Sequence, residues 1–406
     1  MIPEKKLRQS VKKYMAITAN YWAFTLTDGA LRMLILLYFY QQGYSPIALA
    51  SLFLFYEFFG VITNLVGGWL GARIGLNKTM LCGLLIQVVA LLMLTMPNYA
   101  VSVAYVMFAQ ALSGIAKDLN KMSAKSSIKL LVAHVNNEDQ QGKLFRWVAL
   151  LTGSKNALKG VGFFLGGLLL NRFGFEQAML VMACGLILVA MLTYPLLRHD
   201  IGKSRYKAKF SQLFSNSADL NFLAAARLCL FAARDVWFVI ALPVYLVSHF
   251  HWQQQEIGSL LACWIIFYGI IQVNAPKLLI ILAGVRIKTT ANQAAFWALY
   301  LAFMTLLLCC SLYLFPSSNL LLILGLFIFA AIFAINSSLH SFLIVDLARE
   351  DGVSMDVGFY YMANALGRLI GTLLSGVIYQ QLGLLMCLCT AVIFTLLASY
   401  FVKKIA

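Results

Sequence analysis

Long apolar stretches and short polar connectors alternate along the whole chain. A helix needs about 20 apolar residues to cross the hydrocarbon core of a bilayer. Runs of that kind recur near 14–41, 47–71, 79–96, 99–131, 144–170, 176–197, 219–247, 256–282, 291–314, 319–345, 355–380 and 383–402. At that length and composition only helices satisfy their own backbone groups in lipid, so the pattern predicts an all-α polytopic membrane protein with twelve transmembrane helices. Composition agrees: 62% of residues are hydrophobic, 11% are charged and the mean hydropathy is +0.83, far from the balance of a water-soluble domain. Residues 1–13 carry Lys5, Lys6, Arg8, Lys12 and Lys13 but no small-residue cleavage site, so the first helix is expected to stay in the mature protein.

The polar segment from His199 to Ser217 is the one long connector, and it divides the apolar runs six and six. The expected organisation is a first six-helix bundle over 1–197, a linker over 198–218 and a second bundle over 219–406. The halves also match in sequence. NALKGVGFFLGGLLLNRFG from Asn156 parallels NALGRLIGTLLSGVIYQQLG from Asn364, setting Lys159 against Arg368, Gly162 against Gly371, Gly167 against Gly376 and Gly174 against Gly383. Asp28 aligns with Asp235, Tyr38 with Tyr245, and Ser126, Ser127 with Ser337, Ser338. Matches at offsets of 207 to 211 point to duplication into two pseudo-symmetric, parallel halves.

The formal charge is +16, but the basic residues follow alternate loops rather than one stripe. They crowd the N-terminus, Arg73 and Lys78, Lys143, the linker (Arg198, Lys203, Arg205, Lys207, Lys209), Arg286 and Lys288, and Lys403 and Lys404. This is the positive-inside pattern. It excludes a nucleic-acid partner and places both termini in the cytoplasm of a cell inner membrane. The eight cysteines lie inside apolar runs without metal-type spacing, as small buried hydrophobes. His134 to Asp139 spells H-x4-D, an acyltransferase-like pattern, with no second block after it. No Gly-rich phosphate loop with Lys-Ser/Thr occurs. No catalytic residue, metal or cofactor is expected.

Ionised side chains inside a membrane are costly and must face protein, water or ligand. Within the expected spans the bases are Arg32, Lys117, Lys121, Lys125, Lys155, Lys159, Arg227, Arg234, Lys277 and Arg368, and the acids are Asp28, Glu57, Asp118 and Asp235. The excess of bases predicts a cavity for a small-molecule anion. KDLNKMSAKSSIK sets Lys117, Lys121, Lys125 and Lys129 at successive i,i+4 places on one helix face, the last two within snorkelling range of the surface. GSKNALKG sets Lys155 and Lys159 one turn apart beside Asn156, as a phosphate or carboxylate clamp that Arg368 could complete. Asp28 and Arg32 are spaced for a local ion pair, with gating or proton transfer as the other role. Arg234 and Asp235 are adjacent, so they are expected to point apart. Arg227 lies near the face of Arg234. Asn274, Asn336 and His340 are candidate hydrogen-bonding liners. The substrate-binding set is therefore Lys117, Lys121, Lys125, Lys155, Asn156, Lys159, Arg227, Arg234, Asn336 and Arg368. Asp28, Arg32, Glu57, Asp118 and Asp235 form the gating or proton-coupling set.

The string GGWLGARIGLNK from Gly67 resembles the Gly-rich turn motif of the major facilitator superfamily, keeping Gly68, Arg73, Gly75 and Lys78, with Ala72 where an acid is expected. Within that superfamily, YWAFTLTDGALRM from Tyr21, FLFYEFFGVITNLVGGWLGARIGL from Phe53, ALSGIAKDLNKMSAKSSIKLL from Ala111 and GSKNALKGVGFFLGG from Gly153 resemble the ArsJ-type organoarsenical efflux permeases. The resemblance implies a major facilitator fold acting as a monomer. It also implies export, by alternating access, of 1-arseno-3-phosphoglycerate, the product formed when arsenate replaces phosphate in the glyceraldehyde-3-phosphate dehydrogenase reaction. The alternatives are a carrier of another phosphorylated or carboxylated metabolite or a siderophore and, from a different class, a membrane-embedded enzyme.

Overall fold

A computed structural model of the chain describes residues 4–43, 52, 54–96, 102–132, 140–197, 217–252, 254–283, 291–349 and 353–405. Among these residues the secondary structure is helical, without strands. The elements are α1 (Glu4–Gln41), α2 (Leu54–Ile74), α3 (Leu76–Met93), α4 (Val103–Val132), α5 (Gln140–Thr193) with a 3-10 turn at Tyr194–Leu197, α6 (Ala218–Phe238), α7 (Ala241–Phe250), α8 (Gln254–Ala283), α9 (Ala291–Leu314), α10 (Asn319–Leu347) and α11 (Val353–Val402). Eight helical stretches among the described residues are long and apolar enough to cross a membrane. The H-x4-D string at 134–139, most of the first residues of the span expected at 47–71 and the linker charges lie outside the described residues.

Two helices are too long for one crossing. α5 has 54 residues and α11 has 50; at 1.5 Å per residue each would extend about 75 to 80 Å, more than twice a hydrocarbon core of about 30 Å. Each is broken by one glycine, at Gly174 (φ 73°, ψ −178°) and Gly383 (φ 78°, ψ −175°). Only glycine adopts that backbone readily. The two breaks share one geometry, and they fall on the glycines that the internal repeat pairs.

Packing gathers the chain into two compact units. One comprises 1–147, 154–214 and 348–362; the other comprises 148–153, 215–347 and 363–406. In the first, α4 packs on α1, α2 and α3; in the second, α10 packs on α6, α8 and α9. These central helices carry the residues expected at the fourth and tenth spans. The start of α11 joins the first unit through backbone-close packing, Gly68 lying against Ser354 and Gly358. Arg349 grips Asp356 there with a two-pronged pair at 2.7 and 3.1 Å. Ala72, at the motif's acidic position, is buried.

The distribution of polarity is that of a lipid-facing protein. Leu85, Phe164, Leu192, Ile281 and Tyr313 are among the exposed apolar side chains, whereas Gln87, Gln110, Asn120, Gln272 and Asn336 are fully buried. Lipid is as apolar as leucine, so apolar burial alone does not hold such helices together, and close backbone packing takes over. Gly29 and Gly162 meet at the α1–α5 seam, while Gly367 and Gly371 lie against the backbone of Leu228 and Ala232 at the α6–α11 seam. The cysteines depart from expectation. Cys229, Cys309 and Cys387 are buried, but Cys82, Cys184, Cys263 and Cys310 are exposed, because an apolar surround removes the reason to bury a thiol.

A methyl group at Gly367 would sit 2.2 Å from the Leu228 carbonyl oxygen, whereas one at Gly185 would meet nothing within 4 Å. Gly367→Ala should therefore destabilise the protein by about 1 to 3 kcal/mol in unfolding assays in detergent micelles, and Gly185→Ala should leave stability unchanged.

Candidate functional site

In the first unit the four lysines of α4 form a ladder whose neighbouring rungs share partners. Lys117 Nζ lies 3.7 Å from Asp118 Oδ2 and 3.8 Å from the centre of the Tyr56 ring. Lys121 Nζ lies 2.5 Å from Asp118 Oδ1 and 4.6 Å from the Tyr361 ring. Lys125 donates to the Tyr361 hydroxyl, and Lys129 donates to the Ala348 carbonyl. Lys117 and Lys125 are buried. The surface-snorkelling role is not taken by Lys125, and Lys129 reaches a backbone oxygen just past the end of α10.

The local Asp28–Arg32 pair is not made. Arg32 reaches across to α2, placing Nη2 3.1 Å from Glu57 Oε1 and stacking over Tyr56 at 3.9 Å. Asp28, buried, accepts a 2.6 Å hydrogen bond from the Tyr56 hydroxyl. Tyr56 thus serves three charged groups: its ring faces two cations and its hydroxyl faces an anion. Lys155 and Lys159 stand half-buried on α5 with Asn156. Lys155 lies within electrostatic reach of Lys117, Lys121, Asp28 and Asp118. Among the described residues it has no carboxylate within ion-pair distance, its nearest aromatic being Tyr21 at 5.9 Å. Asp118 is already shared by two lysines, so the neighbourhood of Lys155 keeps a net positive character.

The second unit has its own charged centre. Asp235, buried, lies 2.5 Å from Arg234 Nε and 3.4 Å from Arg368 Nε. The expectation that Arg234 and Asp235 point apart is corrected: the helix sends their Cβ atoms in different directions, but the long arginine stem bends round to its neighbour. Arg368 is engaged by Asp235 within its own unit. Arg227, also buried, bonds the carbonyl and hydroxyl of Ser337 at 3.3 and 3.1 Å and stacks on Phe231. Asn336 donates to the Ala294 carbonyl at 3.4 Å, a helix–helix contact. Asn274 bonds the Ile270 carbonyl of its own helix. Lys277 is exposed, so it drops out of the interior set. His340 is fully buried without a hydrogen-bond partner on either ring nitrogen among the described residues.

The Major Facilitator Superfamily family model matches residues 16–306 and 223–405. The chain belongs to the major facilitator superfamily. This major facilitator protein is therefore an integral membrane protein and a secondary transporter of small molecules, not an enzyme. No curated protein sequence matches it. Among solved structures it is similar to the human organic anion transporter MFSD10 (TETRAN), with a TM-score of 0.72 and 16% identity over 99% of this chain and 100% of that one. It is similar to the proton:xylose symporter XylE bound to 6-bromo-6-deoxy-D-glucose, with a TM-score of 0.71 and 13% identity over 98% and 96%. A bacterial homologue of the iron transporter ferroportin in its outward-facing state gives 0.75 and 12% over 98% of both chains. At such identities the likeness is one of fold.

Sequence reasoning missed the tyrosines of this transporter. Tyr56 and Tyr361 organise four of its interior cations between them, and Tyr56 stands directly before Glu57 in sequence. A hydroxyl-bearing ring beside an interior charge was the available signal. Gln272, fully buried and 3.4 Å from the Ser337 hydroxyl, was likewise unmarked.

Asp118→Asn should destabilise the protein by about 3 to 5 kcal/mol, because it leaves the buried Lys117 and the part-buried Lys121 without their shared acid. Adding Lys121→Met to that variant should restore part of the loss, and a double-mutant cycle of unfolding in detergent measures the coupling.

Proposed function

We propose that this transporter exports a polyvalent organic anion from the cell by alternating access, and that the anion is 1-arseno-3-phosphoglycerate, so that the chain confers arsenate detoxification. The observation that carries the anion reading is Lys155. It is a half-buried lysine within electrostatic reach of Lys117 and Lys121, as of Asp28 and Asp118, without a carboxylate at ion-pair distance among the described residues. Like charges so gathered repel one another, and an anion between them relieves that repulsion while its oxygens take charge-assisted hydrogen bonds. The arsenical assignment is supported by the ArsJ-like strings from Tyr21, Phe53, Ala111 and Gly153; charge alone does not select arsenic. That one structural neighbour of low identity is an organic anion transporter is compatible with this reading.

In this proposal Lys117, Lys121, Lys125, Lys155, Asn156 and Lys159 hold the anion in the first unit, and Arg227, Arg234, Asn336 and Arg368 serve it in the second. The chain crosses a cell inner membrane twelve times as a monomer, with six crossings in 1–197 and six in 219–406 joined by the linker 198–218. Both termini are cytoplasmic, on the side of the basic loops. A cytoplasm-negative potential favours anion exit by about 2.3 kcal/mol per charge for each 100 mV, so proton coupling is not required energetically. Where a proton is carried, Asp28, Glu57, Asp118 and Asp235 are its candidates, with Arg32 as a gate against Glu57.

Everted membrane vesicles test the reading directly, because export appears there as uptake. Vesicles supplied with arsenate, glyceraldehyde 3-phosphate, NAD+ as the oxidant and the dehydrogenase should accumulate arsenic and phosphorus together. Lys155→Ala, Lys159→Ala and Lys121→Ala should each slow this by about tenfold or more, the worth of one or two charge-assisted hydrogen bonds. Wild-type rates in all three variants would remove the proposed site. Uptake of other phosphorylated or carboxylated compounds or of a siderophore, without arsenic accumulation, would move the substrate to that class.

A further inference from the structure

The first unit has a cleft on its flank that the transport reading leaves unused. It runs between α3 and the far arm of α5, and two adjoining cavities of about 280 and 340 Å³ make it up. They share Leu81, Leu84, Ala190 and Tyr194, so they form one continuous groove. One end is purely apolar, walled by Leu85, Val88, Leu186, Ile187 and Met191. The other is polar, bringing Lys78 and Asn77 of α3 together with Asn20 of α1 and Thr193 and Tyr194 of the α5 terminus.

The polar end is a built structure. Asn20 donates to the Thr193 hydroxyl at 2.8 Å, and Asn77 donates to the Leu197 carbonyl at 2.7 Å. These bonds fasten the α5 terminus to α1 and α3 and fix the shape of the mouth, where Lys78 and Tyr194 are exposed. Among the described residues that line this end of the groove, Lys78 supplies the positive charge.

Three properties select the occupant. Of its lining residues Leu85 and Met191 are each more than half exposed, so the groove opens onto the apolar surface that faces the hydrocarbon of the bilayer. A water-soluble anion would leave the apolar trough unfilled, and a neutral hydrocarbon would make no use of Lys78. An amphiphile with one negatively charged head and an apolar tail fits both ends. Basic pockets at helix termini attract acidic headgroups, and lysine and tyrosine are the side chains that settle at that depth.

We propose that the groove between α3 and the far arm of α5 is a binding site for an anionic phospholipid, the phosphate lying at Lys78 and an acyl chain lying in the trough between Leu84 and Leu186. The site is independent of the transported substrate.

The test is native mass spectrometry of the purified full chain with equimolar phosphatidylglycerol and phosphatidylcholine of matched chains. The wild type should retain phosphatidylglycerol preferentially. Lys78→Ala should lower that preference by about fivefold, the worth of one basic residue at a headgroup, and Lys78→Arg should keep it. Ala190→Trp, which fills the trough, should reduce binding of both lipids while Lys78 remains in place. Thermal melting of each variant in detergent confirms that it is folded. Equal retention of the two lipids by the wild type overturns the proposal. So does an unchanged preference in Lys78→Ala, or phosphatidylglycerol bound as strongly by a folded Ala190→Trp variant as by the wild type.

Discussion

An ion removed from water must be answered by something within a few ångströms, and inside a membrane only the protein or its passenger can answer it. In this transporter the answer is economical. Asp118 serves Lys117 and Lys121, Asp235 serves Arg234 and Arg368, and Glu57 takes Arg32. Each unit is arranged around a buried carboxylate that two cations approach. Sharing leaves the interior positive, because an acid that holds two bases neutralises only one of them. The net charge is thus not an accident of composition but a consequence of how few acids are placed among many bases.

Aromatic rings carry part of the load that carboxylates would carry elsewhere. A tyrosine face attracts an ammonium or guanidinium without neutralising it, so Tyr56 and Tyr361 steady Arg32, Lys117, Lys121 and Lys125 while leaving their charge expressed. A binding site for an anion needs cations that are positioned but not spent. Replacing these rings with carboxylates would stabilise the same lysines and extinguish their attraction for a ligand. Lys155, on the neighbouring helix, is held by neither device at close range among the described residues, and it extends the positive field to α5.

Much of the architecture was legible in the sequence because membranes impose coarse rules. Apolar run length marked the chain as helical and membrane-spanning, and the repeat paired Gly174 with Gly383, the two glycines at which the long helices break. The pairing of charges was not legible. Helical spacing fixes where Cβ atoms point but not where four-carbon stems and guanidinium arms arrive, so Arg32 left Asp28 for Glu57 and Arg234 turned back upon Asp235. Cysteine placement failed for a different reason: in a bilayer, apolar surroundings are found outside the protein as well as inside it, and exposure no longer distinguishes a core residue.

The glycine breaks within α5 and α11 bear on motion. A long loop between two helices would separate them by many residues, but here one glycine of positive φ joins each pair of arms. The arm beyond Gly174 is thus one residue removed from the arm that carries Lys155 and Lys159, and the arm beyond Gly383 from the one that carries Arg368, with glycine as the pivot between them. Cys184, exposed on the arm beyond Gly174, is a native attachment point from which a spectroscopic label would register, at the lipid boundary, rearrangements that begin among the interior lysines.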